Sequence, residues 1–371
     1  MLGLNALKGI KPQQLSLLSH LSASTELLGL RCIAAVPNNM ALIKQLREQT
    51  GAPIADVKSA LQQADWDLEQ AAQELRKKGL AAASKKASRH AAEGLVGIAT
   101  NPTSAAIIEI NSETDFVARN DQFKRLVSSA AAALLANTSA VASSTAISTQ
   151  EIPTSVVEAT KMSDGPSTLA EAVAEVAGSV RENIKLRRGY HVTVPSGSCG
   201  TIGSYIHGGI APGLGRIASL VLLQHKEQLT GEAARQIQDL AHKLAMHVVG
   251  AVPKYLDRSQ VPETALEAEK KLLTEQAAQS GKPQNIIEKM VQGRLSKFCE
   301  EVCLLEQPFI MDDKKKVQDV VQHAAETDKI NGIELVAYLR VQVGEGLEEE
   351  EGGRKKDFAA EVAETLNAVG K

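Results

Sequence analysis

Two stretches of the chain open alike. "GLVG" at 94–97 and "GTIG" at 200–203 each begin an apolar run of strand character. In the first, "GLVGIAT" is followed by the turn "NPTS", the strand "AAIIEIN" and the helix "DQFKRLVSSAAAALLA". Phe123, Leu126, Val127, Ala130 and Leu134 share one face of that helix. In the second, strands and glycine turns in "HVTVPSGSCGTIGSYIHGGIAPGLGRIASLVLLQH" lead into the helix "TGEAARQIQDLAHKLAMHVV", with Thr230 at its cap position. The spacing of about one hundred residues reads as an internal duplication of a strand–strand–helix unit. Each sheet must bury a face against its own helix. Aromatic residues are only 3% of the 371, so both cores must be aliphatic.

Helical periodicity dominates ahead of the first unit. Residues 39–90 read as a compact three-helix unit with a basic linker. "ALIKQLREQTG" places Leu42 and Leu46 on one face and ends at Gly51 as a C′ glycine. "PIADVKSALQQA" starts with Pro53 in its first turn and turns Val57 and Leu61 inward. "DLEQAAQELRKKG" has Asp67 as N-cap, Gln70 as capping-box partner and an expected end at Lys77, Lys78 and Gly79. Trp66 is expected to cover this small core. From Arg76 to Arg89 the chain holds six basic residues and no acid, which suits a solvated helix, a linker, or a strip against an acidic surface. Residues 1–38, with Lys8, Lys11 and Arg31 against the single acid Glu26, read as a transit peptide.

Residues 91–197 are expected to form a first core subdomain, with a Ser/Thr/Ala-rich flexible insert at 137–167 and helix resuming over "TLAEAVAEVAGSVRENI". Residues 198–345 form a second, interrupted by an antiparallel helical hairpin at 256–303 with "GKP" at its tip. "AYLRVQVGEG" reads as a further strand, and residues 346–371 as a C-terminal helical module with Phe358, Val362 and Leu366 on one face. The fold class is α+β: an N-terminal three-helix unit like a ubiquitin-associated domain, two related sheet-plus-helix subdomains, an inserted hairpin and a C-terminal helix.

Several classes of function find no support. A net charge of −3 and few aromatics do not suit a nucleic-acid binder, and a protein partner is the better default. No run reaches the ~18 apolar residues that cross a bilayer. Cys32, Cys199, Cys299 and Cys303 are too scattered for a disulfide framework and read as buried free thiols in a reducing compartment. Cys299 and Cys303 share a helix face, but no further metal ligands lie at suitable spacing. Motifs of zinc proteases, serine hydrolases and phosphate-binding loops are absent, and in "HGGIAPGLGR" Leu214 and Gly215 stand where a phosphate loop needs lysine and hydroxyl. That segment reads as a hairpin turn. His242 and His247, five apart on a helix, do not share a face. No covalent chemistry and no cofactor are expected.

One segment, "SETDFVARND" at 112–121, leaves two readings open. Thr114 can cap a helix beginning at Asp115, where an acid suits the helix N-terminus. Phe116 lies seven residues before Phe123, so one unbroken helix would bury both. Alternatively Asn120 or Asp121 starts a fresh helix, and Phe116 protrudes from a short turn of its own.

"TDFVARND" after a strand ending "EIN" resembles the signature of elongation factor Ts, which exchanges guanine nucleotide on elongation factor Tu. "IKQLREQTGAPIADVKSAL", "IGSYIHGG", "HVVGAVPKYL", "SGKPQNIIEKMVQGRLSKFCEEVCLLEQPFIMD", "VQVGEGLE" and "DFAAEVA" resemble further segments of that family in its order. The resemblance implies that Asp115 and Phe116, framed by Thr114 and Val117, enter the partner's nucleotide domain and disturb the magnesium and phosphate end of the bound nucleotide. It also implies partner contacts at Lys58, Lys86, His207, Ile310 and Met311, and makes the hairpin a candidate for self-association. It implies no direct nucleic-acid or membrane partner. With the leader it points to an organellar form, mitochondrial in preference to plastid. The rival readings are a ubiquitin adaptor built on residues 39–90 and a ribosome-associated binding module without exchange activity.

Overall fold

The structure, a computed structural model, describes residues 39–137, 148–163, 167–194, 197–278, 283–327, 330 and 332–347. The leader, the hairpin tip at 281–282 and the C-terminal module beyond residue 347 lie outside these. The chain is α+β, as its periodicities require.

Three helices come first: α1 (Asn39–Thr50), α2 (Ile54–Gln63) and α3 (Leu68–Lys86). They enclose Leu46, Val57, Leu61, Ala71 and Leu75, with Trp66 and Leu68 packed against that core. Gly51, at φ +64°, ends α1 by donating its N–H to the Arg47 carbonyl at 2.7 Å. Pro53 sits one position earlier than expected, as the N-cap of α2. The Asp67 side chain accepts the Gln70 N–H at 2.8 Å.

The first half of the core follows: β1 (Glu93–Thr100), β2 (Ser104–Ser112), α4 (Asp115–Ala118), α5 (Asp121–Ala136), β3 (Ser148–Ile152), α6 (Thr154–Glu158), α7 (Leu169–Val180) and β4 (Ile184–Thr193). The second half holds β5 (Cys199–His207), β6 (Leu214–Gly215), β7 (Ile217–His225), α8 (Gly231–Ala251), α9 (Glu263–Ala278), α10 (Gln284–Val302), β8 (Pro308–Phe309), β9 (Asp312–Lys316), α11 (Val317–Thr327) and β10 (Glu334–Gln342). An antiparallel sheet of order β3-β4-β2-β1-β6 faces a second of order β10-β7-β5.

Strand alternation builds the layers. Ile107 of β2 joins Val96, Val192, Leu220, Leu222 and Val341 in the core between the sheets. Its neighbour Ile108 points the other way, into Phe123, Leu134 and Leu169. Val221 likewise turns from Leu220 and Leu222 towards Ile237, Leu244 and Val317. Both sheets are therefore covered on both faces, which is why β2 reads "AAIIEI" with almost no polar alternation.

The duplication has a steric basis. A Cβ on Gly97, the last residue of "GLVG", would stand 2.9 Å from a Val127 methyl and 3.1 Å from the Val127 carbonyl on α5. A Cβ on Gly203, the last residue of "GTIG", would stand 2.2 Å from the Ala241 backbone on α8. In each unit the missing side chain lets the covering helix approach its strand.

Three sequence expectations about the extent of elements need correction. Helix α3 does not end at Gly79 but runs to Lys86, because Gly79 is where α7 crosses it. A Cβ on Gly178 would lie 2.4 Å from the Gly79 Cα, so the pair permits backbone contact between the helices. Of the insert expected at 137–167, residues 148–163 contain β3 and α6, since β3 finds an open ladder along β4, and residues 138–147 and 164–166 lie outside the described residues. Helix α7 stops at Val180 and not at Ile184, with Arg181 left-handed at φ 61° and Ile184 already in β4. The "HGGIAPGLGR" hairpin contributes β6, which crosses to pair with β1 through Val96↔Gly215 and Gly97↔Leu214. The β8–β9 pair and α11 were not anticipated. Thr230 stands at the N-cap of α8 without a side-chain capping bond. Cys299 and Cys303 are buried free thiols at the base of the α9–α10 hairpin, whereas Cys199 is only half-buried.

Candidate functional site

The two readings of "TDFVARND" are resolved by a helix break. Helix α4 is four residues long, and Asn120 caps a separate α5 by accepting the Gln122 N–H at 2.8 Å. Phe123 is fully buried. Phe116 is 80% exposed while its neighbours Val117 and Ala118 are buried. The phenyl ring therefore stands on a turn anchored by the residues after it. The anchoring extends on both sides. Thr114 caps α4 with its hydroxyl oxygen, which accepts the Val117 N–H at 3.5 Å. That hydroxyl donates to Glu182 Oε1 at 2.7 Å, and the Thr114 N–H donates to Glu182 Oε2 at 3.0 Å. Glu113 accepts the Asn183 N–H at 2.5 Å and pairs with Arg89 at 3.5 Å. Asp115 is half-buried and is held by Arg119, one turn on, at 3.3 Å.

A second surface gathers residues far apart in sequence. His207 at the end of β5 and the tip residues Ile310 and Met311 between β8 and β9 line one depression, with Tyr205, Ile217, Met246, Val249 and Gly250. Ile310 is 56% exposed and Met311 45%. The tip packs closely on α8, where a Cβ on Gly250 would lie 2.7 Å from the Ile310 Cδ1. It is also fixed from below by His247. The Ile310 N–H donates to His247 Nδ1 at 3.2 Å, so Nε2 carries the proton and donates to Gln307 Oε1 at 3.0 Å. The Gln307 amide is set in turn, because its Nε2 donates to the Glu301 and Ala251 carbonyls at 2.7 and 3.3 Å. Burial pushes His247 below the ordinary histidine range, against a smaller upward pull from Gln307, which keeps the ring neutral near pH 7.

The sequence profile of the family described as "Elongation factor TS" matches residues 113–345. The chain belongs to the elongation factor Ts family. It is 43% identical over 350 residues to a protein of Ostreococcus tauri named "Elongation factor Ts, mitochondrial", covering 91% of this chain and 96% of that one. It is 44% identical over 326 residues to "Elongation factor Ts" of Paramagnetospirillum magneticum, covering 87% and 95%. A third relative, "Elongation factor Ts, mitochondrial" of Arabidopsis thaliana, is 42% identical over 322 residues, covering 85% and 79%.

In this family member the residues singled out from sequence fall into three places. Thr114, Asp115, Phe116 and Val117 form α4 and its cap. His207, Ile310 and Met311 meet in the depression beside α8. Lys58, exposed on α2, and Lys86, at the end of α3, belong to the helical unit, and Lys86 Nζ donates to the Arg181 carbonyl. Sequence reasoning missed Glu182 and Asn183, which lie about seventy residues from the turn they hold. It also missed Met246, Val249 and Gly250, although "HVVGAVPKYL" contains two of them. Among the described residues no cluster of His, Cys, Asp or Glu is arranged to hold a metal, and no helix is long and apolar enough to cross a membrane.

Proposed function

We propose that this chain is a guanine-nucleotide exchange factor for elongation factor Tu in organellar translation, and that Phe116 is the group it inserts into the partner. The observation that carries this reading is the exposed ring of Phe116 on a turn fixed at both ends. The names of its relatives support the family role. The physical logic is linkage: a factor that binds the nucleotide-free partner more tightly than the nucleotide-bound one must weaken nucleotide affinity by the same factor. No bond is made or broken, so the factor needs neither a catalytic group nor a cofactor of its own. An apolar ring on a fixed turn suits the task, since the backbone that carries it is ordered before binding. Disturbing the partner's magnesium removes the charge that neutralises the nucleotide phosphates. His207, Ile310 and Met311 offer a second, largely apolar contact, and Lys58 a basic one on the helical unit.

Release of a fluorescent GDP from an organellar elongation factor Tu, at fixed magnesium, tests the reading. The wild-type chain is expected to accelerate release strongly, and a folded Asp115→Ala, Phe116→Ala double variant to lose most of that effect. No acceleration by the folded wild type, with a competent partner, would overturn it. The mitochondrion is the proposed compartment, in line with relatives named mitochondrial. Import of the full chain into isolated mitochondria and plastids distinguishes the two.

A further inference from the structure

The three residues that connect α7 to β4 are each committed to a different neighbour. Arg181 pairs with Asp56 on α2, and its carbonyl accepts Lys86 at the end of α3. Asn183 donates through its side chain to the Arg89 and Ala87 carbonyls at 2.6 and 3.4 Å, and through its N–H to Glu113. Between them Glu182 spends both carboxylate oxygens on one residue, Thr114. Arg181 adopts a left-handed conformation that is unfavourable for any residue with a Cβ, so the turn is held in this shape by its surroundings.

The geometry points to Glu182 as the positioning residue of the Phe116 tip, a role that rests on the exchange reading above. The Thr114 hydroxyl has one proton. By accepting it, Glu182 leaves an oxygen lone pair for the Val117 N–H, which is the capping bond of α4. By accepting the Thr114 N–H as well, the carboxylate fixes the backbone from which α4 starts. Helix α4 is too short to hold its shape alone. Without Glu182 the cap loses its orientation, and Phe116 samples directions that do not meet the partner. The carboxylate acts through Thr114, to which both of its oxygens are bonded.

Two measurements on the full chain test this: amide hydrogen exchange of the free protein, and GDP release from elongation factor Tu. In Glu182→Ala, exchange at the Thr114 and Val117 amides is expected to accelerate while the α5 amides around Phe123 keep their protection. The saturating release rate is expected to fall by roughly tenfold, with the half-saturating concentration little changed. Glu182→Gln, which keeps one acceptor, recovers part of both effects and also carries the test if the alanine variant does not fold. In a Phe116→Ala background, Glu182→Ala adds nothing further, because its action passes through the ring. Unchanged protection at Thr114 and Val117 overturns the inference. So does a loss that multiplies that of Phe116→Ala by the same factor as in the wild type. If the wild-type chain fails to accelerate release, the exchange reading falls, and amide exchange alone then decides whether Glu182 holds the turn.

Discussion

Phe116 and Phe123 are seven residues apart and have opposite fates. Phe123 fills the space between α5 and the first sheet, among Ile108, Ile110 and Leu169. Its replacement by Ala is expected to cost about 3–5 kcal/mol of folding stability, measured by urea unfolding. Phe116→Ala removes a ring that is already in water, so the same measurement should move by no more than about 0.5 kcal/mol. A large loss of stability at Phe116 would return that ring to a core role. The difference arises at Asn120, whose cap starts a new helix and uncouples the two rings from a common face.

Glycine sets the spacing between elements. At Gly203 any side chain meets the Ala241 backbone, which cannot rotate away, and α8 must move off β5. Gly203→Ala is therefore expected to destabilise by about 1–3 kcal/mol, the cost of overpacking. Gly293 offers the control. It lies exposed on α10 with nothing within 4 Å of an added Cβ, and its replacement by Ala should stabilise by about 0.5–1 kcal/mol through helix propensity alone. Thermal unfolding of the two variants beside the wild type checks both signs. The same reasoning explains α3. A lysine pair followed by glycine is a common helix end, but Gly79 keeps its helical conformation because α7 lies across it. Local capping preference yields there to the burial of one helix against another.

The two halves of the core are joined through a buried charge. Glu109 of β2 is fully buried and accepts from Arg187 at 2.9 Å, Arg188 at 2.6 Å and the Gly344 N–H at 2.8 Å. Arg188 also donates to the Gln342 carbonyl at 3.1 Å, and Arg187 to the Glu345 carbonyl. Strands β2 and β4 are thereby tied to the end of β10, which belongs to the opposite sheet. Crossing in the other direction, β6 extends the first sheet from within the second half. Glu109→Gln removes the anion shared by two largely buried guanidinium groups, leaving only Glu345, at 3.9 Å from Arg188, and a loss of about 3 kcal/mol is expected in urea unfolding. A change below about 1 kcal/mol would mean that hydrophobic packing between the sheets holds the halves without help from the ion pairs.

The periods of the chain were sufficient to place the three helices, the β1–β2 hairpin, α5, α8 and the helical arms, because each follows from the spacing of apolar residues within its own segment. The signature at 112–121 and the order of the other family segments were equally legible, since residue identity alone carries them. Three things were decided only in the folded molecule. The break at Asn120 left Phe116 outside, although periodicity allowed one continuous helix. The weak strand β3 formed because β4 presented an open edge. The depression beside α8 assembled His207 with Ile310 and Met311, about one hundred residues apart in the second half. The break at Asn120 is capped locally, through the Gln122 N–H, but the turn before it is held by Glu182, and β3 and the depression likewise depend on partners many residues away, whose energy enters only when tertiary contacts form. Local spacing in the sequence carries no record of it.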